Sequence, residues 1–349
     1  HRRAISSPPR YGLKIGIWCR DPDRPAPMIH YLTHRLIHSF LVLLVVSFAS
    51  YGLIGLMPGD PIDLMFSANP EMTAADAERL RARYDLDRPI LARYASWLAG
   101  ALQGDFGYSR LYQQPVGDVL MPRLWATFQL LGISTLLALA LAIPLGVWAA
   151  ARHNRLTDYT INLVCFAGIS VPPFWLALLL IAYIAVPVSW IPAGGMAESG
   201  DSGLDHLRHM LLPVAALSLA SIGGFTRFMR GAMLQSLGQD YMRTARAKGA
   251  HPLRQLFDHA LQNALLPLIT VIALSFGTLF SGALITETIF GWSGMGRMIY
   301  EAVMGNDFNL ALVGLMVATA FTLAGSILAD IAYAALDPRI TLQDRGNGG

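Results

Sequence analysis

Several stretches of about 20 residues without a charged side chain constrain this chain more than any other feature it has. At a rise of about 1.5 Å per residue, each is long enough to cross a bilayer as a helix. Only 14% of the 349 residues are charged and 54% are hydrophobic, where an ordinary soluble domain carries about 25% charged residues. A soluble protein of that composition would expose apolar patches large enough to aggregate. The chain therefore reads as an all-α integral membrane protein.

Six spans follow from the run lengths. The first runs from about Leu36 to Met57 and stops at Pro58-Gly59-Asp60-Pro61, a strong helix terminator. The second covers Thr127 to Ala151, with a kink expected at Pro144. The third, Tyr159 to Val186, contains Pro172-Pro173 and is expected to be broken in the middle. The fourth covers Met210 to Phe228 and is interrupted by Pro213 and Gly223-Gly224; the fifth covers Ala264 to Thr286, and the sixth Leu310 to Leu336. Residues 1–27, rich in Pro and Arg, read as an N-terminal extension without a fold of its own. Residues 28–126 then supply the first span and a long loop, 127–340 the membrane core, and 341–349 a tail. Within the long loop, Thr73 to Tyr84 has the pattern of a capped surface helix, and Pro89 to Ala101 that of a second short one.

Orientation follows from the basic residues. They gather in the N-terminal segment, after span two (Arg152, Arg155) and after span four (Arg230, Arg243, Arg246, Lys248, Arg254). The loops 187–209 and 287–309 hold more acids than bases. Both termini are therefore expected in the cytoplasm, in agreement with the even number of spans.

Candidate functional residues are sparse. The two cysteines, Cys19 and Cys165, cannot build a disulfide framework, and no CxxC or Cys/His cluster suggests a metal. With only two Lys among 26 basic residues, there is no Lys-rich tail for nucleic acid. Arg227 and Arg230 either neutralise Asp330 near the membrane surface or reach out to water. Pro172 and Pro173 either open backbone groups toward a path or simply kink the span. Glu287 either faces solute at the outer mouth or organises its loop. His34, His38, His206 and His209 fall near membrane ends and read as interfacial.

The segment 240–267 is the most informative. Asp240 is expected to cap a short helix that Gly249 ends in a left-handed conformation, and Pro252 suits the first turn of the next. In that second helix Leu253, Leu256, Phe257, Ala260 and Leu261 share one helical face, with Arg254, Gln255, Asp258, His259 and Gln262 opposite. Such a helix either lies in the lipid interface or inserts into a groove on a partner.

This loop resembles the coupling loop, or EAA motif, of ABC importer permeases, and its Thr244-Ala-Arg-Ala-Lys-Gly249 with Leu265-Leu-Pro267 is similar to the oligopeptide/dipeptide permease family. The resemblance continues in order through Pro58-Gly-Asp-Pro61, Tyr84-Asp-Leu-Asp-Arg-Pro89, Gly104-Asp-Phe-Gly-Tyr-Ser109, Glu287-Thr-Ile-Phe-Gly-Trp-Ser-Gly-Met-Gly296 and Asp337-Pro-Arg339. Arg243 stands where the general motif has Glu, as the peptide subfamily commonly shows; Asp258 stands where a basic residue is expected.

The resemblance implies a type I ABC importer permease in a bacterial inner membrane, forming a path for di- or oligopeptides. Relatives carrying nickel, glutathione or other small solutes share the pattern. It implies four kinds of partner: a second permease subunit in a heterodimer, two ATPase subunits, an extracytoplasmic solute-binding protein, and lipid. Thr244, Ala245, Gly249, Leu256 and Phe257 are the residues it assigns to ATPase docking. The chain has no Gly-x-x-x-x-Gly-Lys-[Ser/Thr] loop, so it is expected to bind no cofactor and to perform no hydrolysis, ATP and Mg belonging to the partner ATPases. The reading from another class, an ion-driven secondary transporter, needs midplane acids and repeated halves that this sequence does not display.

Overall fold

The computed structural model describes residues 28–55, 88–197 and 202–336. Helix α1 (Met28–Gly55) is followed by the short α2 (Ile90–Leu102). A two-stranded antiparallel hairpin, β1 (Tyr108–Ser109) and β2 (Gln114–Pro115), leads directly into α3 (Val116–Ala151). Next come α4 (Leu156–Ser170), α5 (Pro173–Leu180), α6 (Gly203–Leu237) and α7 (Asp240–Ala247). The last elements are α8 (Gln262–Phe290), α9 (Met295–Met304) and α10 (Phe308–Leu336). Among the described residues five helices are long and apolar enough to cross a membrane, and α4 with the segment 173–185 makes a sixth, bent pair.

The bend has a local cause. A proline forces the residue before it out of the helical region, and here two prolines act in succession. Val171 (ψ 121°) and Pro172 (ψ 138°) are both extended, α5 restarts with Pro173 in its first turn, and the two axes differ by 95°. Pro144, by contrast, lies inside the continuous helix α3, which begins well before the expected Thr127 because the hairpin feeds straight into it. The short helix expected at Pro89 to Ala101 is present as α2. The helix expected at Thr73 to Tyr84, the terminator at Pro58 to Pro61 and the Asp337-Pro-Arg339 motif lie outside the described residues.

Helix α6 is the hub: it packs on α3 most extensively, and also on α8, α4 and α5. Two of its close approaches rest on glycine, as helix pairs in lipid commonly do. A Cβ on Gly146 of α3 would sit 2.6 Å from the Met229 Cβ. One on Gly223 would sit 2.6 Å from the Cys165 carbonyl oxygen of α4. On the other side α8 packs on α10, and α1 leans on α10 and α2 with most of its apolar side chains exposed.

The buried side chains form distinct clusters. One, around Leu130, Trp292, Met298 and Leu310, fills the end that carries the hairpin. A second, around Phe225, Met229, Met233 and Met242, fills the end that carries α7. A third joins Ala177 and Ala185 to Leu212, Ala216 and Phe290. Filling the α3–α6 contact with Gly146→Leu is expected to lower stability by about 1–3 kcal/mol, the usual cost of overpacking. Thermal unfolding in detergent checks this, with Gly117→Leu, which meets nothing within 4 Å, as the neutral comparison.

Candidate functional site

The loop between α6 and α8 is built as the sequence suggests, with two exceptions. Helix α7 ends on Gly249 at φ +75°. Gly249 N–H donates to the Arg246 carbonyl (2.9 Å) and Ala250 N–H to the Ala245 carbonyl (3.1 Å), the paired bonds of a Schellman ending. Pro252 opens the next turn, and Gln255 fixes the bend by donating to the Ala250 carbonyl at 2.6 Å. The cap is not Asp240, however. The N-cap is Gln239, one residue earlier, so Asp240 lies in the first turn and pairs with Arg243 at 3.2 Å.

The second exception concerns the apolar face. Gln255–Leu261 is π-helical, and bonding from i to i+5 shifts the register that a 3.6-residue wheel assumes. Ala260 is fully buried, and Leu256 and Leu261 pack against the Met233–Met242 cluster. Leu253 and Phe257 instead point outward, 59% and 50% exposed. Leu256 is half-buried against the chain's own core, so it offers less surface than Phe257. Thr244 and Gly249 are exposed beside Phe257's segment and Ala245 is half-buried. Asp258 pairs with Arg254 at 3.4 Å on the outer surface.

The loop is held rigidly to α6. Met242 is fully buried among Met229, Met233 and Ala264, and full burial of such a side chain is worth about 1.5–3 kcal/mol. Ser236 donates to the Ala260 carbonyl at 3.0 Å and lies 2.5 Å from the Tyr241 hydroxyl.

The expected ion pairs are rearranged. Asp330 binds Arg35 of α1, which also donates to Ser326 at 2.9 Å. Arg230 binds Asp158 of α4 through two bonds of 2.6 and 2.8 Å. Arg227 lies over the Phe166 ring, 4.1 Å from its centroid. The reason is helical neighbourhood: α10 presents Asp330 to α1, whereas α6 presents both arginines to α4. Charge counting along the sequence carries no information about which face a residue occupies, and it passed over Asp158 altogether. Pro172 and Pro173 form the break described above.

Glu287 does not face an outer mouth. It is fully buried and accepts hydrogen bonds from the Thr127 hydroxyl (2.6 Å) and the Arg297 amide (3.0 Å). Thr127 in turn accepts from the Met295 amide at 2.7 Å, and the Trp292 ring N–H donates to the Ala126 carbonyl at 3.2 Å. The chain wraps so tightly that any Cβ on Gly294 would collide with the Glu287 carboxylate. The 287–296 segment is thus a knot that pins α9 to the start of the second span.

Around the knot the hairpin is tied down by two further acids. Asp307 accepts from the Ser109 hydroxyl at 2.5 Å and the Leu111 amide at 2.9 Å. Glu301 accepts from Tyr112 at 2.5 Å and Arg297 at 2.7 Å, and Arg123 covers the Tyr112 ring at 4.1 Å. A shallow cleft of about 560 Å³ beside them is lined by Gly195, Thr288, Gly291, Arg297 and Tyr300. Two of the ordered motifs, 104–109 and 287–296, thereby find their place as hairpin and knot.

The family description "binding-protein-dependent transport system inner membrane component" matches residues 142–342, and its N-terminal counterpart matches residues 28–131. The chain belongs to this family. It is an ABC importer permease with several membrane-spanning helices. The permease is 37% identical over 316 residues to the oligopeptide transport system permease protein AppB of Bacillus subtilis, covering 90% of this chain and 99% of that protein. It is 36% identical over 325 residues to OppB of Mycobacterium tuberculosis, with the same 90% and 99% coverage. It is 32% identical over 342 residues to the dipeptide transport system permease protein DppB of Escherichia coli, again covering 90% and 99%. Among solved structures, the inward-facing MetNI methionine transporter aligns at TM-score 0.47 and 18% identity, over 61% of the permease and 96% of that chain.

Burial, followed by the hydrogen bond to Glu301, pushes the Tyr112 phenol up to about 12. Burial also raises the Glu301 carboxyl, but Tyr112, Arg297 and Arg123 outweigh it and hold that group below its ordinary value. Because the folded phenol titrates above its unfolded value of about 10, its contribution to stability is complete below about pH 10 and is lost as pH rises through about 12. Glu301→Gln is expected to move the Tyr112 phenolate step to lower pH, read as the absorbance difference from a Tyr112→Phe control. An unmoved step would assign the shift to burial alone.

Proposed function

We propose that the permease supplies half of a translocation path for di- or oligopeptides across a bacterial inner membrane, paired with a second permease subunit. Two separate ATPase subunits bind ATP and Mg and hydrolyse the nucleotide, and an extracytoplasmic binding protein delivers the solute. The 240–261 loop faces the cytoplasm with both termini, and the hairpin and the Glu287 knot face outward. The basic residues of the loop, Arg243, Arg246, Lys248 and Arg254, support this orientation. The names of the relatives support the peptide substrate.

The observation that carries the reading is the shape of the loop. A free-standing interfacial helix would lay a continuous apolar stripe on the lipid. Here most of that stripe is spent on the chain's own core, and its Leu253 and Phe257 project from a bend fixed by Gly249 and Gln255. Two projecting apolar side chains on a rigid stub, flanked by polar groups, suit a cleft on a partner. Closure of the ATPase pair would push on this stub and shift the permease between inward-open and outward-open states, a bias on a conformational equilibrium rather than chemistry in the membrane.

Reconstitution with the candidate partners in vesicles tests the whole reading: uptake that ignores ATP, with no ATPase subunit bound, would sink it. The sharper variant is Phe257→Asp. It is expected to leave the permease inserted while weakening ATPase association by roughly 2 kcal/mol, about thirtyfold, as for loss of an interface anchor. Co-purification against wild type reads the association, and ATP-driven uptake should fall with it.

A further inference from the structure

Helix α4 is an unusual passenger in this fold. The break at Val171-Pro172 turns the chain by 95° and separates α4 mechanically from α5. Among the described residues α4 packs on α6 and on the end of α3, and the side chains of Tyr159, Leu163, Val164 and Phe166 are exposed. What holds α4 is therefore its seam with α6.

That seam is built along one stripe of α6. Leu219, Gly223, Arg227 and Arg230 recur at helical spacing and meet α4 in antiparallel order. Gly168 lies over the Leu219 carbonyl, Cys165 against Gly223, Phe166 under Arg227, and Asp158 on Arg230. The last contact is the most specified. Asp158 is 2% exposed and accepts both guanidinium bonds of Arg230. It also accepts from Asn162 at 2.8 Å and from the Asn154 amide at 3.1 Å, and lies 3.2 Å from His153. A bidentate carboxylate–guanidinium pair fixes orientation as well as distance. The remaining acceptor positions on the carboxylate are filled from α4 and the turn before it, so the pair ties both to α6.

Arg230 stands two turns before the end of α6. The same two turns carry Met233 and Ser236, which anchor the 240–261 loop. We infer that the Asp158–Arg230 pair is the clamp through which displacement of the loop is delivered to α4, making Asp158 and Arg230 positioning residues for transport. The inference rests on the reading of the loop as the ATPase-docking stub. Without the clamp the loop still moves α6, but α4 is free to lag, and nucleotide turnover no longer yields a matched movement of the path.

The test uses the complete transporter, reconstituted with its binding protein, and reads peptide taken up per ATP hydrolysed. Asp158→Asn and Arg230→Gln are expected to lower that ratio roughly tenfold, within the range for coupling between sites, while the complex stays assembled. A disulfide then separates clamping from mere folding. Thr226 is buried one turn after Gly223, the residue of α6 that packs on the Cys165 carbonyl across the seam. Thr226→Cys in a Cys19→Ser background should therefore close a covalent α4–α6 link on oxidation.

Oxidised Thr226→Cys alone is expected to transport normally, since the two helices travel together. In the Asp158→Asn, Thr226→Cys double variant, oxidation should restore the ratio and reduction should abolish it again. A normal ratio in Asp158→Asn, loss of transport on cross-linking, or no rescue by the disulfide would each overturn the clamp. Phe257→Asp is run alongside: if that variant keeps its ATPases and its uptake, the docking reading fails, an outcome distinct from any of these.

Discussion

In a bilayer the apolar faces of helices gain little by leaving lipid, so contact between spans depends on how closely backbones approach and on the polar groups they share. The architecture of this permease depends on such approaches to one helix. Gly146 lets α3 settle against Met229 and Thr226, and Gly223 lets α6 settle against the Cys165 carbonyl. With α6 in contact with α3, α4, α5 and α8, most of the membrane core is referred to a single rod. That rod passes at one end into the loop through Met233 and Ser236, so a force on the loop is applied where it reaches the most neighbours.

The two ends of the bundle are built on opposite principles. At the hairpin end, three acids each accept from two donors, at least one of them distant in sequence: Glu287 from Thr127 and Arg297, Asp307 from Ser109 and Leu111, Glu301 from Tyr112 and Arg297. Glu287 and Asp307, buried and so satisfied, fix one geometry, because loss of a partner leaves a desolvated polar group unpaired. At the loop end the exposed pairs, Asp240–Arg243 and Arg254–Asp258, are surface contacts worth little. The loop keeps its shape through Met242 and the Gly249 ending, and leaves its outer surface available. A rigid cap at one end and a small, stiff, exposed stub at the other suit a subunit that is pushed from one side.

Much of this was legible in the sequence, and what was not has a common cause. Spans, the break at Pro172-Pro173, the left-handed Gly249 and the first-turn Pro252 are consequences of local chemistry: run length, a missing N–H, a missing Cβ. The failures all needed a helix phase or a neighbour. Leu256 was put on the same face as Phe257 because the wheel assumed an α-helix where the backbone is π. Arg230 was left between Asp330 and water because both lie near a membrane surface, although α4 and not α10 faces it. Glu287 was left between the outer mouth and its loop because the signal of its burial, the glycines at 294 and 296, is intelligible only once the chain is known to fold back over the carboxylate.

The same distinction explains why Asp158 is the informative acid. On the sequence it is one charge at the head of a span, close to Arg152 and Arg155, and any of these arginines would serve it equally well by proximity. In the fold it turns away from them to a residue 72 positions later, on the helix that carries the loop. A surface acid would have been served by its nearest arginine in water at little cost. A carboxylate that is nearly fully buried, bidentate to a distant arginine and saturated by its own helix and the turn before it has been given one orientation. That orientation fixes the phase of α4 against α6, which a short helix isolated by a 95° break cannot obtain from chain connectivity.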